Sequence, residues 1–187
     1  MPVSVQIDDR QLKSTLKKLS KFPKEVPKAA SAAINRTLTF TNKTLKKEVR
    51  NVYNIKAGDI QSSLTLKRAT PSSLVGQIQS DGRRLTLGRF VRGASKRGKP
   101  VKVRVKKAAT KVVNTAPGAF VSSLTGNKQV LKRKGKSRYP VEVLHTLSIP
   151  QMISTVKVSN VIQTEAQRVL RQRTEHEVNF RLSKLGG

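Results

Sequence analysis

From Gly82 to Arg138 the chain carries 18 lysines and arginines and not one aspartate or glutamate. No neighbour along this segment can neutralise them, and burying an unpaired ammonium or guanidinium is prohibitively costly, so any fold must keep these cations at its surface. The segment supplies +18 of a formal net charge of +29, which arises from 39 Lys and Arg against 10 Asp and Glu in 187 residues. Residues 1–81 hold 15 basic and 6 acidic side chains, and residues 139–187 hold 6 and 4. Solubility of a small domain needs a net charge of only about 2–8. The excess repels itself unless a polyanion offsets it, which points to nucleic acid.

Two clusters concentrate the charge. Arg89, Arg92, Lys96, Arg97 and Lys99 are interrupted by Gly88, Gly93, Gly98 and Pro100, while Lys132, Arg133, Lys134, Lys136 and Arg138 surround Gly135 between Gly126 and Pro140. The glycines and prolines predict loops or hairpin tips, and these ten residues are the candidate nucleic-acid-facing set. Such loops supply affinity for phosphates without reading sequence, because phosphate contacts carry no base information. Five Phe and two Tyr are too dispersed for a single-strand stacking platform, and Phe90, Phe120 and Phe180 read as core.

Other chemistries find little support. Without cysteine there is no disulfide, no thiolate nucleophile and no Cys-based zinc site. The stretch His176-Glu177-Val178-Asn179-Phe180 opens like a zincin motif, but Phe180 stands where the second histidine is needed; His145, the other histidine, has no carboxylate cluster beside it. Gly135-Lys136-Ser137 resembles the end of a phosphate-binding loop, yet Val130 occupies the place of its first glycine. The expectation is a non-enzyme with no catalytic, metal or cofactor-binding residues and no cofactor. No apolar run approaches the roughly 20 residues of a membrane span, and Met1-Pro2-Val3-Ser4-Val5 lacks the basic-then-apolar order of a secretory leader. A membrane partner is therefore not expected, and the chain is expected to start in a cytoplasm.

Length favours one domain over 1–187, with an N-terminal strand and helices (1–58), a β-rich basic region (59–147) and a C-terminal helical region (148–187). Val3, Val5 and Ile7 alternate as a first strand. Asp8 or Asp9 then offers a cap for a helix through Leu12, Leu16 and Leu19, ended by Phe22-Pro23. The longest helical signal runs from Val26 to Val52, with Pro27 in its first turn, a threonine-rich middle that packing must hold, and Asn54 and Gly58 closing it. Strands are predicted at Leu64–Leu66, Leu74–Ile78, Leu85–Leu87, Val101–Val105, Val112–Val113, Ala119–Val121 and Val130–Leu131. The clearest is Val101, Val103 and Val105 alternating with Lys102, Arg104 and Lys106. A C-terminal helix is predicted from about Asn160 to Leu185, its stripe running Val161, Ile162, Ala166, Val169, Leu170, His176 and Phe180, packed on the sheet or on the long N-terminal helix.

An ordered series of segments carries a family resemblance: Ala32-Ala33-Ile34-Asn35-Arg36-Thr37, Val49-Arg50-Asn51-Val52-Tyr53-Asn54-Ile55, Leu85-Thr86-Leu87-Gly88-Arg89-Phe90, Val101 through Lys107, and Gly118-Ala119-Phe120-Val121. It continues with Lys132-Arg133 through Arg138-Tyr139-Pro140-Val141, Leu147-Ser148-Ile149-Pro150-Gln151-Met152 and His176-Glu177. Over most of residues 28–182 the chain resembles the lambda-like phage minor tail protein Z family, departing at 143–148, where a Gly-Pro-Ser type of turn is expected.

The resemblance implies an α+β fold, with a long N-terminal helix and a C-terminal helix packed on a central, mainly antiparallel β-sheet bearing extended basic loops. It also implies a structural virion protein of the tail or neck, assembled in the host cytoplasm. As a homo-oligomeric ring, a hexamer, it would sit at the head-proximal end of the tail, join tail to head and line the DNA channel. Its partners would be tail-terminator, tail-tube or head-completion proteins and the phage genomic DNA. The charge alone equally allows a cellular, non-sequence-specific nucleic-acid-binding protein of ribosomal or nucleoid type.

Overall fold

A computed structural model describes residues 2–8, 12–93, 100–113, 118–123 and 126–185. Strand β1 (Val3–Asp8) leads to a short helix α1 (Lys13–Leu16) that tightens into a 3₁₀ turn, Lys17–Leu19. Of the two candidate caps for α1, Asp8 ends β1 and Asp9 lies outside the described residues. Then come α2 (Glu25–Val52), α3 (Ala57–Ser62), β2 (Leu64–Lys67), β3 (Val75–Ser80) and a 3₁₀ helix, Leu87–Phe90. Five short strands follow, β4 (Val101–Val103), β5 (Lys111–Val113), β6 (Phe120–Ser122), β7 (Gln129–Arg133) and β8 (Val141–Val143), and the chain ends in α4 (Ile149–Ile153) and α5 (Val156–Leu185). The class is α+β. Among the described residues all strand pairs are antiparallel, and the strands divide among three small sheets ordered β1-β3-β2, β4-β5 and β6-β7-β8.

Helix α2 is the centre of the molecule. Ala29, Ala30, Ala33, Ile34, Leu38, Leu45 and Val49 recur at helical spacing and are buried. Each of the larger ones, moved from water into this interface, contributes about 1.5–3 kcal/mol. The threonine-rich middle is tolerated because burial pins it: Thr37 is fully buried and its hydroxyl donates to the Ala33 carbonyl at 2.8 Å. The small residues of this face let α5 lie close along α2. β3 also approaches α2 closely, and Gly76 makes this possible, since a Cβ there would stand 2.5 Å from Leu38 Cδ1 and 2.7 Å from Ile34 Cγ2.

The buried stripe of α5 differs from the predicted one. Val158, Ile162, Ala166, Val169 and Leu170 continue into Thr174, Glu177 and Val178, whereas Val161, His176 and Phe180 are exposed. A count of apolar residues chooses Phe180 over Glu177, but pairing makes the polar choice tolerable. Thr174 Oγ1 donates to the Leu170 carbonyl at 2.8 Å, and Glu177 Oε1 lies 2.9 Å from Arg36 Nη1 on α2. Phe180 remains outside under the Lys184 ammonium, 5.2 Å from its ring centre, so it is not a core residue; Phe90 is, and Phe120 is half-buried.

Three local readings need correction. Helix α2 stops at Val52 because Tyr53 turns extended and the next residues bond to the basic segment: Asn54 N–H donates to the Val105 carbonyl (2.8 Å) and Lys107 N–H to that of Val52 (2.9 Å). Gly58 does not close the element but lies within α3. Leu85–Leu87 form no strand beyond a single bridge, Thr86 to His145, before the chain curls into the 3₁₀ helix. Gly88 permits the curl, since a Cβ there would lie 1.7 Å from the Lys128 carbonyl oxygen. The alternation at Val101-Lys102-Val103 holds, with both valines buried and the lysine exposed, but Val105 falls beyond β4.

Candidate nucleic-acid interface

The second predicted cluster forms the β7–β8 hairpin. Its register sets Leu131 opposite Val143, Lys132 opposite Glu142 and Arg133 opposite Val141. Lys132 is half-buried in this register, across the strand pair from Glu142. Arg133 builds the tip: its guanidinium lies 5.3 Å from the Phe120 ring centre and donates from Nη1 to the Arg138 carbonyl at 3.1 Å. Lys134 N–H closes the loop onto the Pro140 carbonyl at 3.1 Å. Lys134, Lys136 and Arg138 are exposed, the last lying over the exposed Tyr139 ring. Of the five cations Arg133 is therefore structural, Lys132 is half-buried and three face solvent.

The first cluster is dispersed. Arg89 rides on the 3₁₀ helix with Nη1 3.0 Å from Asp59 Oδ1 on α3, so a carboxylate from outside the acid-free segment reaches it after all. Arg92 is exposed, its backbone N–H held by the Lys102 carbonyl at 2.9 Å. Both line a cleft of about 560 Å³ with Asn54, Lys56, Asp59 and Asn127. Lys96, Arg97 and Lys99 lie outside the described residues. The two clusters are linked through the fold, because the 3₁₀ helix packs on β7 and Gly88 fits against the Lys128 carbonyl just before that strand.

A third basic feature escaped the count of charge by region. Lys43, Lys46, Lys47 and Arg50 of α2 line an open groove of about 440 Å³ with Ala57, Gly58 and Gln61 of α3. Their spacing of three, four and seven residues marks one helix face and was legible in the sequence. The six acids of residues 1–81 concealed it in the regional sum.

The acidic residues mostly brace the helices. Glu25 meets Lys28 at 2.8 Å and Arg181 of α5. Hydrogen bonds from Lys28 and then Arg181 hold its carboxyl below the usual carboxylate range. Glu165 is lowered in the same way by Arg168 beside it, with a smaller contribution from Lys47, and Arg168 is raised in turn. Among the described residues no three His, Asp or Glu side chains gather as a metal site.

Residues 10–185 match the family described as prophage minor tail protein Z (GPZ). The chain belongs to this family. It is accordingly a structural protein of the bacteriophage tail and a virion component, in a family not known for enzymatic activity. The ribosomal or nucleoid reading of the charge gives way to this membership. No curated protein sequence and no solved structure matches the chain.

Proposed function

We propose that this minor tail protein Z family member is a tail-completion component of the phage neck. Copies of the chain form a ring, a hexamer, at the head-proximal end of the tail, where it joins tail to head and surrounds the path of the genome. Its neighbours are tail-terminator, tail-tube or head-completion proteins, and assembly takes place in the host cytoplasm. The observation that carries the DNA-channel part is the β7–β8 tip, which presents Lys134, Lys136 and Arg138 to solvent on a loop braced by Arg133. A braced tip of uncompensated cations suits a phosphate backbone that passes without being read. Within the predicted ten, exposure favours these three and Arg92 over the half-buried Lys132 and over Arg89 and Arg133, which are engaged within the fold. Among the described residues no helix is long and apolar enough to cross a membrane.

Cryo-electron microscopy of virions and of the purified chain tests the reading. The expected result is a closed ring at the head-proximal end of the tail with the 134–138 tip in its lumen. A lumen of neutral residues removes the channel role, and density elsewhere on the tail removes the neck placement.

A further inference from the structure

We propose that the outer face of α2 is a second surface for nucleic acid, binding the phosphate backbone of a duplex through Lys43, Lys46, Lys47 and Arg50. This goes beyond the hairpin tip and does not depend on ring formation.

Residues at i, i+3, i+4 and i+7 share a helix face and here span about 10 Å of helix rise. Among the described residues none of the four pairs with a carboxylate. Lys46 Nζ donates to Gln61 Oε1 at 2.9 Å, so a neutral amide fixes its position without cancelling its charge. Glu48, the acid nearest in sequence, accepts from Asn51 at 3.2 Å and sits off the stripe. Glu165, whose field reaches Lys47, is held by Arg168 at 2.7 Å.

The acid-free segment also meets the C-terminal end of α2. Lys107 N–H donates to the Val52 carbonyl and Lys106 bridges Tyr53, which brings two more exposed lysines to the end of the helix that carries the stripe. The end of α2 therefore gathers exposed lysines from two distant parts of the sequence.

The groove floor decides the occupant. It is made of Ala57, Gly58 and Gln61, with open space beside Gly58, and holds no large apolar or aromatic side chain. A folded protein partner is normally anchored by such side chains in buried pockets. A phosphate backbone needs none. One strand of a duplex presents a phosphate every 3.4 Å or so of axis, so the stripe sets four cations against about three phosphates.

The test is fluorescence anisotropy of the purified full chain with a random-sequence duplex, at salt concentrations from about 50 to 200 mM. The variants are K43Q/K47Q/R50Q, which spares the Lys46–Gln61 bond, and K134Q/K136Q/R138Q at the hairpin. Circular dichroism checks folding, and K43R/K47R supplies a charge-retaining control. Losing three phosphate contacts should flatten the log–log salt slope by about 2.7, so that over this range wild-type affinity falls roughly 40-fold further than that of the α2 variant. The arginine control should keep the wild-type slope.

An unchanged slope in the α2 variant, with a flattened one in the hairpin variant, overturns this inference and leaves the channel reading standing. The reverse pattern supports it and removes the hairpin from duplex binding. No duplex binding by the wild-type chain overturns both. If the α2 substitutions abolish binding of poly-L-glutamate but leave the duplex slope intact, the face belongs to an acidic protein surface and the inference fails.

Discussion

Glu177 offers the sharpest test of how α2 and α5 are held together. Its side chain is 3% exposed, against 50% for Arg36 and 20% for Arg181, whose Nη2 stands 4.0 Å from Oε2. The carboxylate bears most of the desolvation while its principal partner remains largely in water. Removing one member of a buried pair typically costs about 3–5 kcal/mol, most of it from the charge left behind. The order of effects should therefore invert the usual expectation that buried residues matter most. Arg36→Gln strands a buried carboxylate with only the more distant Arg181, and should cost about 2–3 kcal/mol. Glu177→Gln lets Arg36 return to water and leaves Arg181 with Glu25, so about 1–2 kcal/mol is expected. Glu177→Leu removes the desolvation altogether and should lie within about 1 kcal/mol of wild type. Urea denaturation reads these values as midpoint shifts at constant slope, and the double variant should be less destabilised than the sum of the singles. Finding Glu177→Gln more damaging than Arg36→Gln, or Arg36→Gln neutral, would refute the argument that stranded charge dominates.

Three further outcomes follow from the geometry. Gly88→Ala forces a Cβ onto the Lys128 backbone, which cannot swing aside as a side chain would, and should cost at least the 1–3 kcal/mol or so of ordinary overpacking, whereas Gly135→Ala, with open space around it, should leave the thermal midpoint unchanged. Tyr53→Phe removes the 2.8 Å hydroxyl contact with Thr155 and should lower stability by about 0.5–1.5 kcal/mol in urea, with no loss when Thr155 is already alanine. Because the Glu25 carboxyl is lowered in the fold, its contribution is fully present above the unfolded carboxylate pKa and disappears as pH falls through the folded value; the difference in urea midpoint between wild type and Glu25→Gln should shrink to nothing on acidification, and a constant difference would contradict the assignment.

Elements with strong, uninterrupted patterning were legible in the sequence. Both bounds of α2 were read to within a residue, since small and aliphatic residues recur over seven turns without a break, and the valine alternation of β4 gave the correct inward face. Legibility failed where tertiary pairing replaces apolarity. Glu177 occupies a buried position that a partner on α2 makes tolerable, and nothing local to α5 reveals Arg36, whereas Thr174 is satisfied by the Leu170 carbonyl of its own helix. The curl at Gly88 depends on a carbonyl forty residues away. The capping box of α4, where Ser148 and Gln151 satisfy each other's backbone, was present in the sequence as Ser-Ile-Pro-Gln and lay within a segment noted only for its family likeness. The candidate interface was legible as charge but not as geometry, because sequence cannot tell Arg89 held by Asp59 from Arg92 open to solvent. Grouping by region also hid the α2 stripe, which is a property of one helix face.

The pairing of α2 with α5 also governs how this chain must be made. The apolar face of α2 is complete once Val52 has been synthesised; β3 can cover part of it soon after, but the share covered by α5 waits for Val158, about a hundred residues and on the order of 5–20 s of translation later. During that interval the part of the aliphatic face that α5 covers stays open beside a growing excess of cations, whose mutual repulsion would oppose the joining of copies through it. An excess of like charge on the chain would thus act before folding is complete as well as after it.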